Sequence, residues 1–343
     1  MKHPGYRDTD FRSLFGSLKV SPQLPFSRSE FQQSSVKYIK GMSISGVQQK
    51  LLLKIDPDYR LIPVSEGGEY ILKPSPEEFP NAAENEHAAM ITSKLLKIET
   101  ATCGLVSFSD GELAYITKRF DRPGNKEKLH QEDLVQGFGM SSSRKYDESY
   151  EAAGNLINRM TNGKMSVVLD FIRRVTHAYL IGNDDMHLKN ISLQKLEGNT
   201  SHYYDKLTPN YDSLFTGAFE NINSESFLAI DLLESGFSEK YEYYGYYTGY
   251  DFIEFGARLN IPERLVKKTI KDITNQMNSI QDVAKKSYMP AAMKTKAIQV
   301  IGDRARVLSI GMNEWKSSSG SGGVWLSYNS LKARGLRTPY GGL

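Results

Sequence analysis

The sequence predicts an α+β fold in two lobes, a small β-rich front followed by a larger helical back. Three observations predict it. Short apolar runs bounded by turn residues crowd the first third of the chain and enclose a single helical pattern. Beyond about residue 130 the apolar residues recur instead at three and four. A length of 343 residues also exceeds the ~150 typical of one domain, which leaves room for two lobes with a core each.

In chain order, residues 1–40 are polar and mixed, with Pro22, Pro25 and several serines, and read as an irregular leading arm. The β-rich lobe is expected over 41–125. Val47 to Ile55 and Glu69 to Leu72 read as strands, separated by the turn signals Asp56-Pro57-Asp58 and Gly67-Gly68. Asn81 is placed as N-cap of a helix whose Ala83, His87, Met90, Ile91, Leu95 and Ile98 repeat at helical spacing. Leu105–Phe108 and Leu113–Thr117 supply further strands, the second running into Lys118-Arg119-Phe120-Asp121-Arg122. The helical lobe is expected over 126–316. Val168, Phe171, Ile172, Val175, Tyr179 and Leu180 mark one amphipathic helix ending at Gly182, and Leu265 through Val283 marks another. The stretch 317–343 opens on a Ser/Gly linker and reads either as an appendage foreign to the fold or as a docking tail.

Composition narrows the function classes. Forty-three basic against 40 acidic residues, 39% hydrophobic content and a mean hydropathy of −0.45 describe a globular chain, not a disordered, coiled-coil or collagenous one. A net charge of +3 is too small to argue for nucleic acid without a localised patch. The tyrosines between 241 and 250 have only Lys240 as a basic neighbour, so they read as packing and not as a base-stacking platform. The single cysteine, Cys103, cannot close an internal disulfide and reads as a packed residue in a reducing compartment. No run approaches the ~18 apolar residues of a membrane span, and the start lacks the apolar core of a signal peptide, so a cytoplasmic location is expected.

The chemistry concentrates in Gly182-Asn183-Asp184-Asp185-Met186-His187-Leu188-Lys189-Asn190. Asp185 followed five residues later by Asn190 is the catalytic-loop spacing of protein kinases. There one carboxylate takes the proton of an incoming hydroxyl and an amide oxygen helps to hold Mg2+. By itself this spacing is common, but three more signals fall in the order such chemistry requires. Asp212 lies 22 residues beyond Asn190, where a second carboxylate would bridge Mg2+ to phosphates. Lys73 ends the Tyr70-Ile71-Leu72 strand, and the helix after it offers Glu84 and Glu86 as partners. Gly41 to Gly46 precedes a strand and can cradle phosphates through backbone N–H groups. The chain lacks G-x-G-x-x-G and H-R-D; Asp184-Asp185 stands in the latter place, and the five-residue interval selects Asp185 as the base.

Taken together, several runs resemble the HipA family of serine/threonine kinases. They are Ser43-Ile44-Ser45-Gly46-Val47-Gln48-Gln49-Lys50, Tyr70-Ile71-Leu72-Lys73-Pro74, Glu84-Asn85-Glu86, Arg119-Phe120-Asp121-Arg122, His130-Gln131-Glu132-Asp133, the Asp185–Asn190 loop and Pro209-Asn210-Tyr211-Asp212. The match runs in order from about residue 20 to about 312, and the Ser-x-Ser pair with Lys73-Pro74-Ser75-Pro76 is similar to the short HipT branch of three-component toxin–antitoxin systems. The resemblance implies a bilobal protein-kinase-like fold and ATP with Mg2+ as cofactors. It implies Asp185 as catalytic base, Asn190 and Asp212 as metal ligands, Glu86 ahead of Glu84 as the partner of Lys73, and Lys73, Lys50, His187, Lys189, Ser45 and Gly46 around the nucleotide phosphates. The peptide groups around Lys118 and Phe120 would meet adenine, and Ser43 and Ser45 would be autophosphorylated. It further implies a HipB-like DNA-binding antitoxin, a HipS-like small partner, and an aminoacyl-tRNA synthetase as substrate, the tryptophanyl enzyme ahead of the glutamyl one. The alternatives are a nucleotide-binding pseudokinase that serves as a protein-binding module, and a kinase acting on a small molecule.

Overall fold

A computed structural model describes residues 6–38, 49–123, 128–219 and 227–312. The loop carrying Ser43, Ser45 and Gly46, and the tail 317–343, lie outside the described residues.

The front of the chain forms an antiparallel five-stranded sheet of order β2-β1-β3-β5-β4, built from β1 (Leu51–Ile55), β2 (Leu61–Pro63), β3 (Tyr70–Pro74), β4 (Cys103–Ser107) and β5 (Leu113–Lys118). Strand alternation decides what each face carries. Leu51, Leu53, Tyr70, Leu72, Ala114 and Ile116 pack on one side, while Cys103, Leu105 and Tyr115 pack on the other with Ala83 and Met90 of α3 (Ala82–Leu95). Lys73 follows Leu72 in β3, so the pleat turns it away from the first side and toward α3. The first side is covered by what was expected to be an irregular arm. Instead it holds α1 (Asp8–Phe15) and α2 (Arg28–Tyr38), with Phe11, Leu14, Phe15, Val20, Leu24 and Phe31 buried against the sheet. The prolines and serines of the arm hide a three-four stripe, Phe11-Leu14-Phe15, which Gly16 terminates in the left-handed region at φ 75°. Each such side chain contributes roughly 1.5–3 kcal/mol on burial, so this arm is part of the front core.

Asn81 precedes α3 as expected, but it does not cap it. Its backbone is left-handed, and its Nδ2 donates to Glu84 Oε1 at 3.2 Å. The Ala83 N–H is satisfied by Ser75 Oγ at 3.0 Å instead.

The back of the chain is helical around α6 (Met165–Ile181), whose Phe171, Ile172, Val175 and Tyr179 are fully buried in one core with α5 (Tyr150–Met160), α8 (Gly249–Arg258), α9 (Glu263–Thr274) and α11 (Ala291–Leu308). The expected single helix from Leu265 to Val283 is two, α9 and α10 (Met277–Lys286), broken at Asn275-Gln276. The break has a packing cause: α9 lies on α6 and α8, whereas α10 lies on α3 and α11. The short helices α4 (Leu134–Gly137) and α7 (Glu239–Tyr244) complete the set. Within the tyrosine cluster Tyr241 and Tyr247 are buried as expected, while Tyr243 and Tyr250 are exposed. A small antiparallel sheet, β6 (Gln131–Asp133), β7 (Ser192–Gln194) and β8 (Lys206–Leu207), underlies the loop that follows α6. Among the described residues no helix is long and apolar enough to cross a membrane.

Candidate active site

The loop after α6 is set by Gly182. Its φ of 73° is the left-handed conformation that ends a helix, and a Cβ there would lie 2.9 Å from Val300 Cγ1. Thr216 then braces the turn, accepting from Asp184 N–H at 2.8 Å and donating its hydroxyl to the Gly182 carbonyl. The Asp185 carbonyl accepts from His187 N–H at 2.8 Å and from Asn190 Nδ2 at 2.9 Å. With its NH2 group so engaged, Asn190 presents Oδ1 as its acceptor. The Asp185 carboxylate remains accessible, receiving one hydrogen bond from the Tyr146 hydroxyl at 2.9 Å.

Across from this loop Lys73 is buried between two carboxylates. Its Nζ donates to Glu86 Oε1 at 2.7 Å and pairs with Asp212 Oδ1, and the Tyr115 ring lies 5.4 Å from the same ammonium. Of the two acids offered by α3, the pairing thus falls on Glu86; Glu84 is engaged by Asn81. Asp212 sits at φ 52°, a left-handed backbone that Asp tolerates better than bulkier residues. The electrostatics follow from one cation serving two acids. Burial pushes the Lys73 ammonium down, but Asp212 and Glu86 outweigh it and raise its pKa. Burial acts to raise Asp212 too, yet Lys73 and Lys50 overcome that and hold it down at about 2. Glu86, the most enclosed, is pushed up to about 7 by burial despite Lys73.

Two cavities meet at this cluster. A cleft of about 970 Å3 is lined by Lys50, Lys73, Asp185, His187, Lys189, Asn190 and Asp212, together with Tyr146. A smaller cavity of about 310 Å3 runs from Lys73 and Asp212 to Lys118, Phe120 and Tyr211. Within the hinge the Lys118 N–H is committed to the Thr102 carbonyl at 2.8 Å and the Arg119 N–H to Glu69 at 2.8 Å, so neither amide is open to a base. Phe120 lies against the Tyr211 ring, with centroids 5.8 Å apart. His187 is buried and bonded through Nε2 to Lys145 Nζ at 2.8 Å; burial, with Lys145 beside it, lowers its pKa despite the opposing pull of Asp185.

The donor set suits a nucleoside triphosphate with Mg2+. Ammoniums and carboxyl or amide oxygens share one cleft, and a side cavity of base-like dimensions adjoins it.

Sequence reasoning missed two residues here. Lys145 and Tyr146 reach the loop from a polar turn with no periodic signal. Asn85 entered only within the Glu84-Asn85-Glu86 run, without a role of its own: its side-chain amide donates to the Phe215 carbonyl at 3.1 Å and accepts from the Phe215 N–H at 2.7 Å.

Comparison with known proteins adds the following. The HipA-like C-terminal domain family matches residues 42–280. A Haemophilus influenzae protein named "Putative kinase" is 35% identical over 309 residues, covering 83% of this chain and 87% of its own length. A relative of the same designation from Sinorhizobium fredii is 29% identical over 238 residues; 66% of this chain aligns, spanning 54% of that longer protein. Among solved structures, HipA of Shewanella oneidensis, seen in complex with HipB and operator DNA, superposes with a TM-score of 0.63 at 20% identity, covering 81% of this chain and 71% of that one. At that identity the likeness is one of fold.

Proposed function

Because the chain belongs to the HipA-like family, we propose that it is an ATP- and Mg2+-dependent serine/threonine protein kinase, the toxin of a type II toxin–antitoxin system. The observation that carries this reading is the buried Lys73 ammonium, which joins Glu86 to Asp212 where the two cavities meet, with Asp185 and Asn190 lining the same cleft. When bound, ATP with Mg2+ supplies the transferable phosphoryl group and neutralises its charge. Asp212 and Asn190 Oδ1 are the residues to hold the metal. Lys73, Lys50 and Lys189 offer positive charge to the phosphates, with His187 beside them. Asp185 takes the proton from the acceptor hydroxyl. The Phe120 peptide and the Lys118 carbonyl side are the groups left to receive adenine. Lobe limits at 41–125 and 126–316 belong to the same reading.

The finer parts extend it. Ser43 and Ser45 are autophosphorylated in the loop that Gly46 closes; each phosphate adds about −1.5 to −2 charges beside the nucleotide phosphates and thereby opposes nucleotide binding. The substrate is an aminoacyl-tRNA synthetase, the tryptophanyl enzyme first and the glutamyl enzyme second, and its phosphorylation arrests growth. A HipB-like antitoxin and a HipS-like small protein are the partners, an expectation supported by the HipB complex of the Shewanella protein and by likeness to the HipT branch. Incubation with radiolabelled ATP and purified synthetases tests the proposal. Transfer to a synthetase that Asp185→Gln abolishes is expected; no label on any substrate or on the chain itself, with Asp185→Gln indistinguishable from wild type, refutes it.

A further inference from the structure

The turn before α5 contributes two side chains to the candidate catalytic loop, and the kinase reading assigns neither of them a task. Tyr146 donates its hydroxyl to Asp185 Oδ1 at 2.9 Å, although its side chain is 46% exposed and lines the cleft. Lys145 donates to His187 Nε2 at 2.8 Å, its ammonium lies 4.9 Å from the Tyr146 ring, and its carbonyl accepts the Leu188 N–H at 3.2 Å. The Tyr146 ring meets the imidazole edge-on at 5.1 Å. Backbone and side chains of this one dipeptide therefore grip both polar residues at the start of the loop.

The chemistry of the donors says what the grip does. An ammonium only donates, so the Nε2 it reaches accepts, and the proton of the neutral ring sits on Nδ1. Nδ1 is buried and has no hydrogen-bond partner among the described residues. A proton on Nε2 would instead face the Lys145 ammonium, and Nε2 lies 3.7 Å from Asp185 Oδ1. Tyr146 in turn occupies Oδ1 of Asp185.

We propose that Lys145 and Tyr146 are positioning residues of the kinase site: Tyr146 orients the Asp185 carboxylate, and Lys145, donating to Nε2, holds His187 as the Nδ1-protonated tautomer. This rests on the kinase reading above.

The test pairs steady-state kinetics with 15N spectra of the imidazoles, in which His187 among the six histidines is identified by a His187→Gln control. Tyr146→Phe is expected to lower kcat by about tenfold to a hundredfold with KM for ATP within about twofold, since orientation is lost and nucleotide contacts are kept. Lys145→Met is expected to abolish the Nδ1–H signature, and Lys145→Arg to restore it. A kcat within about twofold of wild type in Tyr146→Phe, or an unaltered His187 tautomer in Lys145→Met, overturns the proposal. The spectra need no turnover, so a wild type that transfers no phosphate, like Asp185→Gln, refutes the kinase reading while the tautomer is still judged on its own.

Discussion

Replacing Lys73 by Met keeps the length of the side chain and removes the cation paired with both Glu86 and Asp212. The side chains of Lys73 and Glu86 are 6% and 2% exposed, so this pair falls in the buried regime, where loss of one partner costs about 3–5 kcal/mol. Asp212 is 27% exposed and also feels Lys50, so it adds little to that sum. Glu86 can relieve the strain by taking up a proton, and its pKa already stands at about 7. A carboxyl raised in the folded state contributes stability that is complete below its unfolded value, near ~4.3, and is lost as pH rises through the folded value. Lys73→Met should therefore be only moderately destabilised at about pH 5 and most destabilised by about pH 8, with a slope of up to ~1.4 kcal/mol per pH unit. Adding Glu86→Gln removes the titration and should return about 2 kcal/mol or more near pH 8, while leaving phosphoryl transfer absent in both variants. Urea unfolding at several pH values, beside a labelled-phosphate assay, measures all three quantities. Identical unfolding midpoints for the single and double variants across that range, or transfer by Lys73→Met within about tenfold of wild type, would show that the reasoning is wrong.

Other outcomes follow from the same geometry. Asp185→Gln should lose ~10²–10⁴-fold in transfer while calorimetry shows ATP binding unchanged, because the carboxylate is charged with moving a proton and not with holding nucleotide. Asp212 is held down at about 2, so its share of stability is complete above its unfolded value and is lost as pH falls through about 2; Asp212→Asn should flatten the acid-unfolding curve there and abolish transfer. Gly182→Ala combines a positive φ with a Cβ 2.9 Å from Val300, and thermal unfolding should report a loss of ~1–3 kcal/mol. Phe11→Ala, far from the cleft, should cost ~3–5 kcal/mol in urea unfolding if the arm belongs to the core; a change below ~1 kcal/mol would return it to the status of an appendage.

Much of the candidate site was legible because its determinants are local. Strand alternation aims Lys73 opposite to Leu72, and the interval from Asp185 to Asn190 is a single turn of loop, so short-range spacing suffices to place them. Spacing alone left Glu84 and Glu86 both open; Glu86 came from the family resemblance, and Lys73 pairs with it. What spacing does not record is partnership at long range. Lys145 and Tyr146 act on residues 42 and 39 positions away, and nothing in their own neighbourhood announces it. The arm misled because its prolines and serines outweighed three apolar residues whose sheet partners come 40 and more positions later. The break at Asn275-Gln276 is equally invisible, since the apolar stripe continues while the surface it covers changes from α6 to α3.

Asn85 ties the two acids of the Lys73 cluster into one mechanical body. Its amide closes a two-bond ring with the backbone of Phe215, three residues past Asp212, and it adjoins Glu86 on α3. Helix α3 therefore cannot swing outward, taking Glu86 with it, unless the Asp212 segment travels too or the buried Phe215 N–H loses its acceptor and its carbonyl one of two donors. α10 backs the same helix from the other lobe. An outward tilt of this helix is thus disfavoured by the architecture, and the two walls of the cleft are held to move together.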